Sequence, residues 1–91
     1  MNFEWNPLKA EINLKKHQVS FEEAATVFND PLSVTFPDPD HSVGEDRYLI
    51  IGLSVAYKVL VISHTYRDDT IRIISAREAT NQEKRFYEQG H

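Results

Sequence analysis

Three arginines recur along one predicted β-hairpin near the C-terminal end of the chain, Arg67, Arg72 and Arg77. The acidic side chains inside this hairpin are Asp68 and Asp69, both in its turn, so the sequence predicts guanidinium groups without carboxylate partners. A guanidinium group can bind two oxygens of one phosphate at once. The pattern therefore indicates an anion-binding site on a β-sheet.

His64 lies just upstream of these arginines. Histidine is the side chain whose ordinary pKa lies closest to neutral pH, so it can accept or donate a proton during a reaction. RNA carries its own nucleophile, the 2′-hydroxyl, and needs from a protein mainly alignment and charge stabilisation. We interpret His64, Arg67, Arg72 and Arg77 as candidate catalytic residues for cleavage of RNA without a metal ion.

Each of these residues also has a purely structural interpretation. Arginines keep an exposed strand from aggregating, and a single histidine is more often a packed side chain than a catalytic one. Tyrosines mostly pack against apolar neighbours with the hydroxyl in water. The alternative to an enzyme is therefore a non-catalytic interaction module, in which the sheet is a docking surface and the arginines are its main contacts.

The composition excludes several other kinds of site. The 91-residue chain has no cysteine, which excludes a disulfide scaffold, a thiolate zinc site and a cysteine nucleophile, and fits the cytoplasm. The histidines at positions 17, 41, 64 and 91 are scattered, and the three glycines are isolated, so metal-ligand spacing and a phosphate-binding loop are both missing. We expect a single domain over residues 1–91, with no metal, no cofactor and no membrane segment.

Charge is unevenly distributed along the chain. The net charge of −4 argues against a protein that holds nucleic acid by bulk electrostatics. Residues 20–46 carry seven acidic side chains and no Lys or Arg, a charge of −7. Residues 47–77 carry five basic side chains against two acidic ones, a charge of +3. The sequence predicts a local anion site beside an acidic surface that suits a basic partner.

Hydrophobic periodicity and turn residues predict an α+β fold with the element order β-α-α-β-β-β-β-α. Helix starts are marked by Asn6 before Pro7 and by two capping boxes, at residues 20–23 and 80–83. The predicted strands cover residues 3–5, 32–36, 47–53, 59–67 and 70–76. We expect an antiparallel β-meander with two N-terminal helices and one C-terminal helix.

The lengths of the predicted turns determine which strand residues face each other. A two-residue turn at Asp68 and Asp69 places His64 opposite Ile73. A four-residue turn over residues 54–57 places Arg47 opposite His64 as well.

This register assigns side chains to two faces of the sheet. The face predicted to lie under the helices carries Leu49, Ile51, Leu53, Leu60, Ile62, Ile71 and Ile73, with Arg47, His64 and Tyr66 at its rim. The other face carries Tyr48, Ile50, Val59, Val61, Ser63, Thr65, Arg67, Arg72, Ile74 and Ala76. On that face Arg72 lies opposite Thr65 and diagonal to Arg67, so the two arginines could share one phosphate.

Motifs along nearly the whole chain resemble the BrnT toxin family. They are Phe3-Glu-Trp-Asn-Pro-x-Lys9, Asn13-x-x-Lys-His17, Val19-Ser-Phe-Glu-Glu-Ala24, Gly44-Glu-x-Arg47, Ile51-Gly52 and Ile71-Arg-Ile-Ile-Ser-Ala-Arg77, followed by Tyr87. Two positions depart from the usual pattern: Asn6 stands where Asp is common, and Gln18 stands where Gly commonly follows Lys-His.

The resemblance implies a RelE-like fold and a ribonuclease that blocks translation by cutting RNA, on or off the ribosome. It also implies a BrnA-like ribbon-helix-helix antitoxin, through which any contact with operator DNA would be indirect. The matching positions are Arg47, His64, Thr65, Arg67, Arg72, Arg77 and Tyr87. We take Arg47, Thr65, Tyr66 and Tyr87 as candidate RNA-binding residues beside the catalytic set.

Overall fold

The structure is a computed structural model that describes residues 1–89; Gly90 and His91 lie outside the described residues. Its elements are β1 (Asn2–Glu4), α1 (Pro7–His17), α2 (Phe21–Thr26), a 3-10 turn (Val27–Asn29), β2 (Val34–Pro37), a second 3-10 turn (Pro39–His41), β3 (Tyr48–Leu53), β4 (Val59–Arg67), β5 (Thr70–Glu78) and α3 (Asn81–Gln89). No helix within residues 1–89 is long and apolar enough to cross a membrane.

The five strands form one mixed sheet in the order β1-β5-β4-β3-β2. Strands β3 to β5 form the predicted antiparallel meander, because each pairs with its neighbour in the chain. Strand β2 extends it by pairing antiparallel with β3. The N-terminal strand β1 is an edge strand and pairs parallel to β5. This pairing places Glu4 directly beside Arg72.

The predicted helix caps are present. The Asn6 side chain accepts hydrogen bonds from the amides of Leu8 and Lys9 at 2.9 and 3.2 Å, so Asn serves as the cap of α1. At the other end of α1, Gln18 adopts the left-handed conformation, with φ 56°, that glycine adopts more easily. Ser20 caps α2 by accepting from the Glu23 amide at 3.0 Å.

The predicted register between β3 and β4 is wrong by one residue. The connecting loop has five residues, closed by a 2.8 Å hydrogen bond from the Ser54 amide to the Lys58 carbonyl. Tyr48, and not Arg47, therefore lies opposite His64. Since side chains alternate along a strand, this shift exchanges the two faces of β3. Ile50 faces α1 and α2, whereas Leu49, Ile51 and Leu53 lie on the other face.

A β-bulge changes the faces of β5. Ser63 pairs with Ser75, but His64 pairs with Ile73, which leaves Ile74 unpaired. The predicted pairs His64–Ile73 and Thr65–Arg72 are confirmed. Beyond the bulge the predicted faces are wrong.

Two residues change sides because of this bulge. Ala76 packs in the cluster under α1 and α2 and not on the opposite face. Arg77 shares a face with Arg72, although their odd spacing in the sequence predicted opposite faces.

Apolar side chains cover both faces of the sheet. One cluster lies under α1 and α2 and contains Val19, Phe21, Ala24, Val27, Ile50, Leu60, Ile62, Ile73 and Ala76. The other lies on the α3 side and contains Ile51, Val61, Ala79 and Tyr87, with Phe36, Leu49, Leu53 and Val59 packed against it. At the end of β4 that neither cluster covers, Tyr66 and Arg67 are exposed.

The buried side chain of Asn13 connects α1 to β5. Its Nδ2 donates to the carbonyls of Ala76 and Val19 at 2.8 and 3.1 Å, and its Oδ1 accepts from the Ala76 amide at 3.1 Å. Asn13→Ala leaves these buried backbone groups without partners, so we expect the free energy of unfolding to fall by about 2–4 kcal/mol in urea titrations. Lys16→Ala, on the exposed side of α1, should change it by less than about 0.5 kcal/mol. Equal effects of the two substitutions would contradict this role.

Candidate active site at the end of strand β4

His64 and Tyr66 form a hydrogen-bonded pair that reaches from the core to the surface. The His64 ring is completely buried and packs edge-on against Phe28, with 4.9 Å between ring centroids. Its Nδ1 lies 3.2 Å from the carbonyl oxygen of Ile62, and its Nε2 lies 3.3 Å from the hydroxyl of Tyr66. Tyr66 itself is 50% exposed. A buried base therefore contacts a hydroxyl that solvent can reach.

The partners of His64 determine which ring nitrogen carries the proton. A carbonyl oxygen can only accept, so we assign the proton to Nδ1, which donates to Ile62. Burial lowers the pKa of His64 below 6.5, although the hydrogen bond to Ile62 opposes this change. The ring is then neutral at neutral pH, and Nε2 accepts the hydrogen bond of the Tyr66 hydroxyl. The Tyr66 oxygen keeps its lone pairs for a ligand.

The phenol of Tyr66 stays protonated in this setting. Burial, together with the nearby Tyr48, raises the pKa of Tyr66 above 10.0. Tyr48 packs against the Tyr66 ring at 5.3 Å and against the His64 ring at 6.1 Å between centroids. The half-buried Tyr48 and the exposed Tyr66 thus offer aromatic rings on which an unpaired base could stack.

An open pocket of about 420 Å³ lies in front of Tyr66. Its lining residues are Glu45, Asp46, Tyr48, Thr65, Tyr66 and Arg67, and we call it the Tyr66 pocket. Thr65 is buried, and its hydroxyl donates to the Asp46 carbonyl at 2.6 Å. This bond ties the segment before β3 to β4, so Thr65 positions one wall of the pocket.

Arg67 and Arg47 both lie near the carboxylate of Glu45. Arg67 Nη2 is 3.9 Å from Glu45 Oε2, and Arg47 Nε is 3.6 Å from Glu45 Oε1. Both distances exceed those of good hydrogen bonds. In the part of the chain that the structure describes, Arg47 Nε is buried without a hydrogen-bond partner.

Arg72 lies one strand away from the Tyr66 pocket. It faces Thr65 on β4 and is diagonal to Arg67, as predicted. On its other side it faces Glu4 of β1, and the Nη1–Oε2 distance is 3.7 Å. The expectation that the arginines have no carboxylate partners is therefore wrong. For Arg67 and Arg72 the ion pairs are long and partly exposed, and such pairs exchange readily for another anion.

Within residues 1–89, no three His, Cys, Asp or Glu side chains are grouped closely enough to hold a metal ion.

Comparisons with known proteins identify the family of the chain and its fold. Residues 5–83 match a family model described as "Ribonuclease toxin, BrnT, of type II toxin-antitoxin system". The chain belongs to the BrnT family. The crystal structure of the Brucella abortus ribonuclease toxin BrnT at 1.1 Å resolution is similar to this fold, with a TM-score of 0.68. That match covers 89% of this chain and 99% of the Brucella chain at 20% identity, which shows a shared fold. No curated protein matches.

Membership of the BrnT family confirms the resemblance found in the sequence. It places the chain among ribonuclease toxins of type II toxin-antitoxin systems, and it implies a protein antitoxin as partner. The family motif that ends β5 includes Arg72 and Arg77, but the structure gives these two arginines different surroundings.

Arg77 is engaged by the C-terminal helix. Its Nη1 and Nη2 donate to the two carboxylate oxygens of Glu83 at 2.7 and 3.0 Å. It lies five positions beyond Arg72 along β5, which is roughly 16 Å in an extended strand. Arg77 is thus held away from the Tyr66 pocket, and it links β5 to the start of α3.

Tyr87 also lies in the apolar cluster on the α3 side and not beside the Tyr66 pocket. It is buried, and its hydroxyl donates to Asp30 Oδ2 at 2.5 Å. Burial and the Asp30 carboxylate raise the pKa of Tyr87 to about 12. Asp30 Oδ2 also accepts from the Leu53 amide at 2.8 Å, so these contacts fix α3 and the end of β3 to the turn after α2.

The Arg77–Glu83 pair predicts a change of stability in acid. The two hydrogen bonds from Arg77 are the largest cause that lowers the pKa of Glu83 from 4.5 to about 2, and the Thr80 amide contributes. Because the folded pKa is below the unfolded one, the pair stabilises the fold fully above about 4.5 and loses this effect as the pH falls towards about 2.

Urea titrations at about pH 5 and about pH 3 test this expectation. Between these pH values, Glu83→Gln should lose less stability than the unsubstituted protein does. Glu88→Gln, on the exposed side of the same helix, is the control and should behave like the unsubstituted protein. Identical acid sensitivity of Glu83→Gln and the control would contradict the pKa assignment.

Two contributions to the site were not found in the sequence. Glu45 lies two residues from Arg47 but reaches Arg67 on another strand, and Glu4 reaches Arg72 from the opposite end of the chain. A count of the charges inside the hairpin cannot find these two partners, because both lie outside it in the sequence. The order of the strands in the sheet brings them next to the arginines. The motif Gly44-Glu-x-Arg47 was the one signal that pointed to Glu45.

Proposed function

We propose that this chain is a metal-independent endoribonuclease toxin that cleaves RNA by internal transesterification and so inhibits translation. The observation that carries the proposal is the hydrogen bond between buried His64 and exposed Tyr66. Tyr66 and Arg67 line the same pocket. Membership of a ribonuclease toxin family supports RNA as the substrate. The pair supplies a proton acceptor, and the arginine supplies a charge for the phosphate.

The proposed reaction begins at the 2′-hydroxyl. Its proton passes to the Tyr66 oxygen while the Tyr66 proton passes to Nε2 of His64. The freed 2′ oxygen bonds to phosphorus, and the bond from phosphorus to the 5′ oxygen breaks. The 5′ oxygen takes a proton from solvent, and the His64 imidazolium returns its extra proton to solvent through Tyr66. The products are a 2′,3′-cyclic phosphate and a 5′-hydroxyl.

Arginines stabilise the charge that develops on the phosphate in this proposal. Arg67 holds the scissile phosphate at the Tyr66 pocket, and Arg72, its diagonal neighbour, binds the same group or the next phosphate along the backbone. Arg77 is left out because Glu83 holds both of its terminal nitrogens. Tyr87 is left out because it is buried on the α3 side.

We further propose a BrnA-like ribbon-helix-helix antitoxin as the neutralising partner, with operator DNA bound by that partner alone. The −7 charge of residues 20–46 favours a basic antitoxin segment. The same acidity disfavours accumulation on bulk RNA. The toxin is then expected to act through a few specific contacts, on the ribosome or on exposed single strands in the cytoplasm.

Incubation of the purified, antitoxin-free protein with RNA in EDTA tests the proposal. RNA fragments should accumulate, and cell-free translation should stop in a parallel reaction. Intact RNA together with normal translation would contradict the proposal and favour the non-catalytic interaction module. Addition of the antitoxin should suppress both effects.

A further inference from the structure

Glu45 is the one carboxylate, among the described residues, that forms ion pairs with two arginines. It faces Arg47 and Arg67, the second of which lines the Tyr66 pocket beside it. Neither contact is a hydrogen bond, because the distances are 3.6 and 3.9 Å. An anion that made proper hydrogen bonds to both guanidinium groups would bind them better than Glu45 does.

The Arg47 side chain contains a hydrogen-bond donor that lacks an acceptor. Its Nε is buried and lacks a hydrogen-bond partner within residues 1–89. The main chain of Arg47 is fixed, since its amide donates to Ser42 Oγ at 3.0 Å and its carbonyl accepts from the Asp38 amide at 2.9 Å. A buried donor without an acceptor destabilises the structure, and Glu45 relieves this only partly. Oxygens of a bound anion would relieve it further.

Charge at this point favours a single additional anion. The guanidinium groups of Arg47 and Arg67 carry two positive charges, and Glu45 returns one negative charge between them. A carboxylate and a phosphate present similar oxygens to an arginine, but a phosphate offers more of them. Glu45 is about one-third exposed, so its side chain can move aside without unfolding the segment before β3.

We infer that Glu45 occupies the position of an RNA backbone phosphate between Arg47 and Arg67, and that RNA must displace it to bind. The inference rests on the proposed function, because it takes RNA as the ligand, and it adds a phosphate subsite next to Tyr66. In this arrangement Glu45 weakens the binding of small free anions. RNA overcomes this competition because it also contacts Tyr66 and Tyr48.

Binding of a fluorescent 2′-O-methyl oligoribonucleotide tests the inference. This ligand lacks the free 2′-hydroxyl and cannot be cleaved by transesterification, so the result does not depend on catalysis. Glu45→Gln should bind it about three- to tenfold more tightly than the unsubstituted protein. The dependence of log K on log salt should become steeper by up to about 0.7, because one more positive charge at the site is left without a protein carboxylate to oppose it.

Glu88→Gln is the matched control. It removes the same charge from an exposed residue on α3, which does not line the Tyr66 pocket and whose carboxylate makes no ion pair within the described chain. The control should change the affinity less than twofold. Thermal melting of each variant shows whether it is folded.

A double substitution keeps the test decisive if Glu45→Gln also alters the loop. In an Arg67→Ala background, Glu45→Gln should give little or no gain in affinity. The guanidinium group that this substitution would free from its ion pair is then missing. The inference is wrong if Glu45→Gln binds no better than Glu88→Gln, or if the gain persists without Arg67. If Glu45→Gln does gain affinity but no variant cleaves unmodified RNA, the phosphate subsite stands and the proposed catalysis fails.

Discussion

Replacing Tyr66 with Phe is expected to lower kcat for RNA cleavage by about 10²- to 10⁴-fold, the usual contribution of a positioned proton-transfer group. The substitution removes the hydroxyl that joins the buried Nε2 of His64 to the solvent. The aromatic ring remains, so stacking against Tyr48 and the binding of RNA should change little. The measurement is single-turnover cleavage of a short RNA at saturating protein, beside a thermal melt.

Tyr57→Phe is the matched control for this substitution. Tyr57 lies in the loop between β3 and β4 and is 85% exposed, so loss of its hydroxyl should leave cleavage unchanged. Full activity of Tyr66→Phe would show that the proton does not pass through this hydroxyl.

The pH dependence of cleavage independently tests whether His64 accepts the proton through Tyr66. His64 must be unprotonated to accept the proton, and burial lowers the pKa of His64 below 6.5. Activity should therefore persist into mildly acidic solution and fall with a midpoint below 6.5. A midpoint above 6.5 would mean that the acceptor is another group.

Replacing Arg67 with Ala is expected to reduce cleavage by about 10²- to 10³-fold, the effect typical of one lost charge-stabilising group. Arg67 is the arginine that lines the same pocket as Tyr66, and its side chain is more than half exposed. Arg67→Lys should recover only part of the rate, because an ammonium group does not bind two phosphate oxygens in the plane of a guanidinium.

Arg85→Ala is the control for Arg67→Ala, since Arg85 is an exposed arginine on α3. It changes the net charge equally and should retain nearly full activity. Growth arrest after induction in cells, compared at equal protein levels, gives a second readout. If Arg67→Ala is as toxic as the unsubstituted protein while it folds normally, Arg67 does not hold the scissile phosphate.

Local signals in the sequence were sufficient for most of the fold. Helix starts followed from Asn6, Ser20 and Thr80, because each cap depends on residues within one helical turn. The hairpin of β4 and β5 followed from its two-residue turn, which fixed the facing pair of Thr65 and Arg72. The predicted strand ends differ from those observed by up to two residues.

The errors came from features that residue spacing does not encode. The loop between β3 and β4 has one residue more than predicted, and Tyr57 adopts a left-handed conformation in it, with φ 62°, although it is neither Gly nor Asn. The bulge at Ser63 and His64 has no glycine to mark it. Each of these single-residue shifts exchanged the two faces of a strand.

The candidate site was predictable in its residue types but not in its connections. The sequence located His64, Tyr66, Arg67 and Arg72 on one hairpin. It did not reveal that His64 is buried behind Tyr66, because the contact with Phe28 depends on how the turn after α2 packs on the sheet. The sequence also predicted that Arg77 has no carboxylate partner. In the structure Glu83 binds Arg77 through two hydrogen bonds.

The chemical ends of the RNA products test the central claim most directly. A defined RNA is incubated with the purified protein in EDTA, and the fragments are analysed by mass spectrometry. Attack by the 2′-hydroxyl predicts fragments that end in a 2′,3′-cyclic phosphate or its 3′-phosphate hydrolysis product, with 5′-hydroxyl groups on their neighbours, and no cleavage where the preceding nucleotide is 2′-deoxy. Fragments with 5′-phosphates and 3′-hydroxyls, or cutting at the 2′-deoxy position, would contradict the account.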